Sequence, residues 1–288
     1  MKIAIVTDST CYLPKEELEK YNITVVPIPV IIDGKTYQED VDISTEEFYD
    51  KLRVSKELPS TSQPSLGQMV ELYTKLGDEG YDAVISIHLA STISGFVNTL
   101  STAVADMVTN TRVIPYDSQI TVLLMGNLVL HAAKMAQEGY ELDEILDSLD
   151  ALRATMDEVF IVNDLKNLVK GGRLSNASAV IGSMLNIKPL LTFDNNSHAI
   201  VAYDKVRSIK KAYSKAAEAF KKAKKEANFK YKLIVIHAND PEEAKKWSDD
   251  LHKQFPEEKI EISYFGPVIG THLGEKAIAL AWIKDTEN

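Results

Sequence analysis

Residues 82–107, DAVISIHLASTISGFVNTLSTAVADM, constrain the fold more than any other stretch of this chain. Residues 83–89 form a short apolar run, which suits a strand buried inside a sheet. From Val97 the apolar positions fall at 97, 100, 104 and 107, the spacing of one helix face. Between strand and helix sit Ser91-Thr92-Ile93-Ser94-Gly95, three hydroxyls and a glycine. The first backbone N–H groups of a helix lack partners and carry partial positive charge, so such a junction suits an anion. The hydroxyls can cap the helix or donate to a ligand, and the residues leave both open.

The same order recurs. Residues 2–7 read as a buried strand, followed by Asp8-Ser9-Thr10 and a helix opened by Pro14. Pro59-Ser60-Thr61-Ser62-Gln63-Pro64-Ser65 is a second hydroxyl cluster just before a helix with Leu66, Met69, Val70, Tyr73 and Leu76 on one face. Residues 23–32 are apolar and β-branched but interrupted by Pro27 and Pro29, which predicts an edge or irregular strand, and Asp33-Gly34 is a turn signal. Ser44 and Glu47 have capping-box spacing. A strand at 112–115, helices over 120–135 and 142–156, and a strand at 159–162 complete the alternation. Strands alternating with helices predict an α/β fold, a mainly parallel sheet with helices on both faces. Ligands of such sheets bind outside the carboxyl ends of the strands.

From Asp164 the texture changes. Lys170-Gly171-Gly172-Arg173-Leu174-Ser175 is a glycine-marked turn, and residues 174–187 contain no charge. Residues 190–193 and 199–203 read as a hairpin, and 208–227 as a helix with Ile209, Ala212, Tyr213, Ala216 and Phe220 inward. Strands at 232–237 and 260–265 flank a helix at 241–255, and 277–283 form a last strand. These elements predict a C-terminal α+β domain with a mixed sheet, dividing the chain into domains 1–160 and 161–288.

Composition excludes several classes. A formal net charge of −10 argues against general nucleic-acid affinity. Cys11 is the one cysteine, leaving no internal disulfide and no thiolate cluster for zinc. The six histidines (88, 131, 198, 237, 252 and 272) lack metal-ligand spacing, so neither a metal nor a cofactor is expected. The apolar start is too short for a signal peptide, and the run 120–130 falls well short of the ~20 residues of a transmembrane segment, so a cytoplasmic protein is expected. No G-x-S-x-G, G-x-G-x-x-G or H-E-x-x-H occurs; Gly34-Lys35-Thr36 lacks the first glycine of a phosphate loop, with Pro29 in its place. His88 lies in the buried-strand pattern and reads as a core histidine. His272 lies in a glycine-rich loop, 266–274, and its side chain can face a site or pack.

Asp8-Ser9-Thr10, Thr61-Ser62-Gln63-Pro64, the 91–95 segment, Gly171-Gly172-Arg173-Leu174-Ser175 and the 266–274 segment, in this order, resemble the DegV family along residues 2–283. These are bacterial lipid-binding proteins, some of which supply fatty acid to a fatty acid kinase. The resemblance implies two domains enclosing one long-chain fatty acid, such as palmitate, in a tunnel between and into the second domain. It implies a carboxylate held by Thr61 and Ser94, with Gly95 in the motif and His272 nearby, and Arg207 helping to dock the kinase. The family's usual Ser-Gly-Thr-Tyr here reads Ser94-Gly95-Phe96-Val97. The residues suit such a ligand on their own chemistry: hydroxyls and helix-start N–H groups donate to a carboxylate, and the uncharged 174–187 stretch is a candidate tunnel wall. The expected role is a carrier without catalysis, its ligand phosphorylated by the kinase to an acyl phosphate. The alternative is a serine hydrolase or acyltransferase using Ser94 and His272. Residues 205–232 hold eleven Lys or Arg against two acids, a basic segment suited to a protein partner.

Overall fold

In the computed structural model, residues 1–175 and 187–286 are described. The chain opens with β1 (Ile3–Asp8), a 3-10 turn at Ser9–Cys11 and the short helix α1 (Lys15–Lys20). There follow β2 (Thr24–Val26), β3 (Pro29–Ile32), β4 (Lys35–Gln38), α2 (Thr45–Val54), β5 (Ser60–Thr61) and α3 (Leu66–Asp78). Next come β6 (Ala83–His88), α4 (Phe96–Met107), β7 (Arg112–Asp117), α5 (Val122–Glu138), α6 (Leu142–Arg153), β8 (Asp157–Ile161) and α7 (Lys166–Lys170). From Lys188 the elements are β9 (Lys188–Phe193), β10 (Ile200–Val206), α8 (Ile209–Glu226), β11 (Tyr231–His237), α9 (Pro241–Gln254), β12 (Lys259–Tyr264), α10 (Pro267–Leu273) and β13 (Ile278–Lys284).

Two compact units result: Met1–Ser44 with Thr61–Ala154, and Thr45–Ser60 with Thr155–Asn288. Residues 45–60, which the sequence alone groups with the first half, thus count with the second. The first unit holds a four-stranded sheet ordered β2-β1-β6-β7, parallel throughout. Its two-residue period puts Ala4, Val6 and Val84 on one face, against Met69 and Tyr73 of α3 and Phe96, Leu100 and Val104 of α4. Helix α5 packs on β1 and β6 as well. Parallel strands joined by crossover helices bury both faces, which is why β1 and β6 are apolar without alternation. The α4 stripe stops a turn early: Met107, expected inward, is 53% exposed.

The 23–32 run splits into two strands because its prolines cannot donate to a ladder. β2 pairs with β1, whereas β3 starts at Pro29 and pairs with β4 in a small sheet ordered β4-β3-β5. Asp33 (φ 47°) and Gly34 (φ 79°) make the two-residue turn between them, with positive φ at both central positions.

The second unit holds a mixed sheet ordered β10-β9-β8-β13-β11-β12, in which β11–β12 is the parallel pair. Ala212, Ala216 and Phe220 of α8 and Trp247 and Leu251 of α9 pack on Val159, Leu233, Val235 and Trp282. Two expectations are corrected. The strand at 159–162 does not close the N-terminal set: β8 pairs antiparallel with β13 and β9. Its local pattern specifies a strand, but its partners lie in the C-terminal half, β13 at the far end of the chain. Ile209, expected inward on α8, sits in the first turn and is 37% exposed.

Candidate functional site

Because β1, β6 and β7 run parallel, their carboxyl ends share one edge of the first unit's sheet. Three loops meet there. The Leu89 N–H donates to Asp8 Oδ2 at 3.1 Å, Ala90 N–H to the Ile120 carbonyl at 2.8 Å, and Ser91 N–H to Asp117 Oδ1 at 3.1 Å. Thr121 Oγ1 donates to Thr10 Oγ1 at 3.1 Å. In the middle loop the half-buried Ser94 Oγ accepts the Phe96 N–H at 3.3 Å, capping the first turn of α4. No acceptor among the described residues takes the Ser94 hydroxyl proton, so capping and donation to an anion are compatible roles for one oxygen.

The second hydroxyl cluster lies alongside. The Gln63 amide donates to Thr99 Oγ1 of α4 at 3.4 Å, and Gln63 Oε1 is 3.9 Å from where a Cβ on Gly95 would stand. Gly95 is exposed and Thr61 half-buried. Within this cluster Ser65 is the helix cap, sharing a capping box with Gln68 at the start of α3. Thr61, four residues earlier in β5, is not needed for that task. The two loops carrying Thr61 and Ser94 are therefore neighbours.

Beneath them lies a buried chain of polar side chains. Tyr73 OH and Ser86 Oγ are 2.7 Å apart, Ser86 Oγ and His88 Nε2 2.7 Å, and His88 Nδ1 and Asp8 Oδ2 3.0 Å. An ionised carboxylate only accepts, so the donor order Tyr73, Ser86, His88, Asp8 uses every proton. The order Ser–His–Asp is that of a hydrolase triad. Here all three side chains are fully buried and the Ser86 oxygen is engaged by Tyr73, so this histidine serves the core, as its strand pattern suggests. Cys11 is also buried, its thiol pushed up to about 12 by desolvation, which removes it as a nucleophile.

The second unit gathers two further motifs. The 266–274 segment, expected as a loop, contains α10, with Pro267 in its first turn and Gly274 (φ 76°) after its end. His272 lies in its last turn, and Asn167 Nδ2 donates to the Thr271 carbonyl at 3.0 Å. A Cβ on Gly171 would stand 2.9 Å from His272 Nδ1, so only glycine lets the 171–175 turn come this close. Burial, with the Arg173 guanidinium nearby, pushes the His272 imidazole down to about 4. Such an imidazole is neutral at pH 7 and a feeble general base. Arg207, just past β10, is exposed and has no ion-pair partner among the described residues. Of the 174–187 candidate wall, residues 176–186 lie outside the described residues. Among the described residues, no three His, Cys, Asp or Glu cluster as a metal site, and no helix is long and apolar enough to cross a membrane.

Asp117 and the 118–121 loop were not legible as site elements from the strand ending at 115. A signal was available: Asp117-Ser118 repeats the Asp8-Ser9 pair directly after a parallel strand.

Hydroxyl-bearing loops at the carboxyl edge of a parallel sheet in one unit, and a mixed sheet in the other, define a two-unit α/β architecture. The family model described as "Uncharacterised protein, DegV family" matches residues 2–285, and the chain belongs to the DegV family. A DegV domain-containing protein of Listeria innocua is 45% identical over 281 residues, 98% of each chain. The chain is similar in structure to DegV of Bacillus subtilis, described as a fatty acid binding protein, with TM-score 0.90 and 42% identity over 99% of this chain and 100% of that one. It is also similar to a fatty acid binding DegV family protein of Streptococcus agalactiae, with TM-score 0.92 and 40% identity at the same coverage.

Proposed function

We propose that this chain binds a long-chain fatty acid, palmitate among them, through hydroxyl donors to its carboxylate and apolar burial of its chain. The observation that carries the reading is Ser94. Its oxygen is occupied by the Phe96 N–H, its proton is available to an anion, and the Thr61 loop lies beside it. The solved relatives described as fatty acid binding supply the ligand class. Each buried CH₂ contributes ~0.8 kcal/mol, so the chain supplies most of the affinity and the head group sets orientation. His272 is assigned to the head group on the family resemblance. A neutral imidazole there donates one hydrogen bond, and a value of about 4 argues against its serving Ser94 as the base of a hydrolase.

The further role is presentation of the carboxyl to a partner fatty acid kinase, which forms the acyl phosphate consumed in lipid metabolism. Arg207 supports this as an exposed guanidinium without an ion-pair partner among the described residues. Part of the neighbouring basic segment is already engaged, with Lys215 on Asp204 and Lys224 on Glu258. The reading is tested by mass spectrometry of the purified protein under non-denaturing conditions, which should reveal a co-purifying fatty acid. Ser94→Ala and Thr61→Val should each lose about 1.5–3 kcal/mol of palmitate binding, roughly ten- to hundredfold. Unchanged palmitate affinity with lowered melting temperatures would make these hydroxyls structural and place the head group elsewhere.

A further inference from the structure

Three consecutive backbone N–H groups, at 89, 90 and 91, are held from neighbouring segments, two by strand-end aspartates and one by the 118–121 loop. Asp8, ending β1, takes the Leu89 N–H at 3.1 Å; Asp117, ending β7, takes the Ser91 N–H at 3.1 Å; the Ile120 carbonyl takes the Ala90 N–H between them. The Ile93 and Ser94 N–H groups then return to the Ala90 carbonyl at 3.0 and 3.1 Å, so the place of Ser94 is fixed relative to Ala90. Both aspartates are anchored in turn. Asp8 Oδ1 takes the Thr10 N–H at 3.0 Å and its hydroxyl at 2.6 Å, and Asp8 Oδ2 is met by His88 of the buried chain that runs back to Tyr73. Asp117 Oδ1 also takes the Gln119 N–H at 2.8 Å.

A strand-to-helix junction with free N–H groups is a general anion nest, suited to phosphate as much as to carboxylate. Here the first of those donors are consumed by the protein's own carboxylates, through charge-assisted hydrogen bonds. Past these donors the loop offers the Ser94 hydroxyl.

We propose that Asp8 and Asp117 are positioning residues for the carboxylate site: they saturate the early N–H groups of the 89–94 loop and hold the Ser94 hydroxyl where it donates to a fatty-acid carboxylate. This rests on the head-group reading of Ser94. The test is a binding cycle with palmitate and hexadecanol on the full chain, for the parent, Asp8→Asn, Ser94→Ala and the double variant. Asp8→Asn should weaken palmitate about tenfold, leave hexadecanol unchanged, and add nothing in the Ser94→Ala background, because coupled residues are not additive. Equal loss for acid and alcohol, or losses that multiply, would overturn the positioning role. Should Asp8→Asn fail to fold, Asp117→Asn, on a less buried carboxylate, carries the same expectations. Failure of both to fold would assign the aspartates to the fold alone and overturn the proposal. Ser94→Ala with parental palmitate affinity overturns the head-group reading itself, whatever the aspartate variants do.

Discussion

His272 should make the protein's stability depend on pH in a window that its structure defines. The imidazole is pushed from 6.5 to about 4, first by burial and second by Arg173. At neutral pH both the folded and unfolded forms hold it neutral, and it contributes no difference. As pH falls below 6.5 the unfolded chain takes up a proton that the folded one refuses. The unfolded state then binds more protons, so stability falls with falling pH and levels off below about 4. The gap corresponds to at most about 3 kcal/mol, at ~1.4 kcal/mol per decade of proton affinity.

Carboxylates titrate in the same range, and burial also lowers His237, so the total pH profile does not isolate the residue. The difference between the parent and His272→Gln does. Urea unfolding at pH 7 and pH 4.5 should show the variant gaining on the parent by about 2 kcal/mol as the pH drops. Proton NMR of the imidazole should give a midpoint near 4, and Arg173→Gln should raise it by removing the second cause. Saturation with palmitate, but not with its methyl ester, should also raise it, since a nearby carboxylate favours the charged ring. A midpoint near 6.5, or a stability difference independent of pH, would refute the burial argument. A midpoint unmoved by palmitate would remove His272 from the head-group site.

Gly270→Ala should destabilise the second unit by about 1–3 kcal/mol in chemical denaturation. The new Cβ would stand 2.5 Å from Tyr49 OH, which donates to the Phe265 carbonyl at 2.7 Å, and Tyr49→Phe in the same chain should recover part of the loss. Arg207→Ala should leave palmitate affinity within about twofold of the parent and reduce acyl phosphate formation by the kinase; an equal loss of lipid binding would refute the docking role. The Cys11 thiol, at about 12 and buried, should resist iodoacetamide until the chain unfolds, so rapid labelling of the native protein would contradict its placement.

Much of the architecture was legible because its signals are local. The apolar runs at β1 and β6 and the 3.6-residue stripe of α4 need no distant partner to be read. What the sequence could not specify was pairing. β8 has the pattern of a strand whichever sheet takes it, and only Ala279, Leu280 and Ala281 on its far partner decide the matter. The site divides in the same way. Hydroxyls at 61 and 94 announce donors, whereas the glycines at 171 and 270 read only as a turn and a loop until the close approaches they permit are seen. The partners that make sense of them, Asp8 for the 89–94 loop or Tyr49 for Gly270, are brought in by tertiary structure. Asp117 was not legible because a carboxylate near a prospective anion site looks wrong until its Oδ1 is seen to take the Ser91 and Gln119 N–H groups.

On the proposed function, that occupation bears on why hydroxyls rather than a fixed cation would meet the head group in the first unit. A fixed cation facing the head group would add binding to every anion and slow release. A hydroxyl adds about 1.5–3 kcal/mol to a charged acceptor and much less to a neutral one, so it separates acid from alcohol. The acyl chain meanwhile supplies affinity in steps of ~0.8 kcal/mol per CH₂, indifferent to the head group. Selection and retention are then controlled by different atoms. On the proposed reading, Ser94 serves selection only while its loop keeps the oxygen on the Phe96 N–H and leaves the hydroxyl proton to the ligand. On this reading the aspartates matter because of the N–H groups they remove: with 89 and 91 already occupied, the junction has fewer donors for a phosphate, and the Ser94 hydroxyl takes the larger share of a carboxylate's recognition.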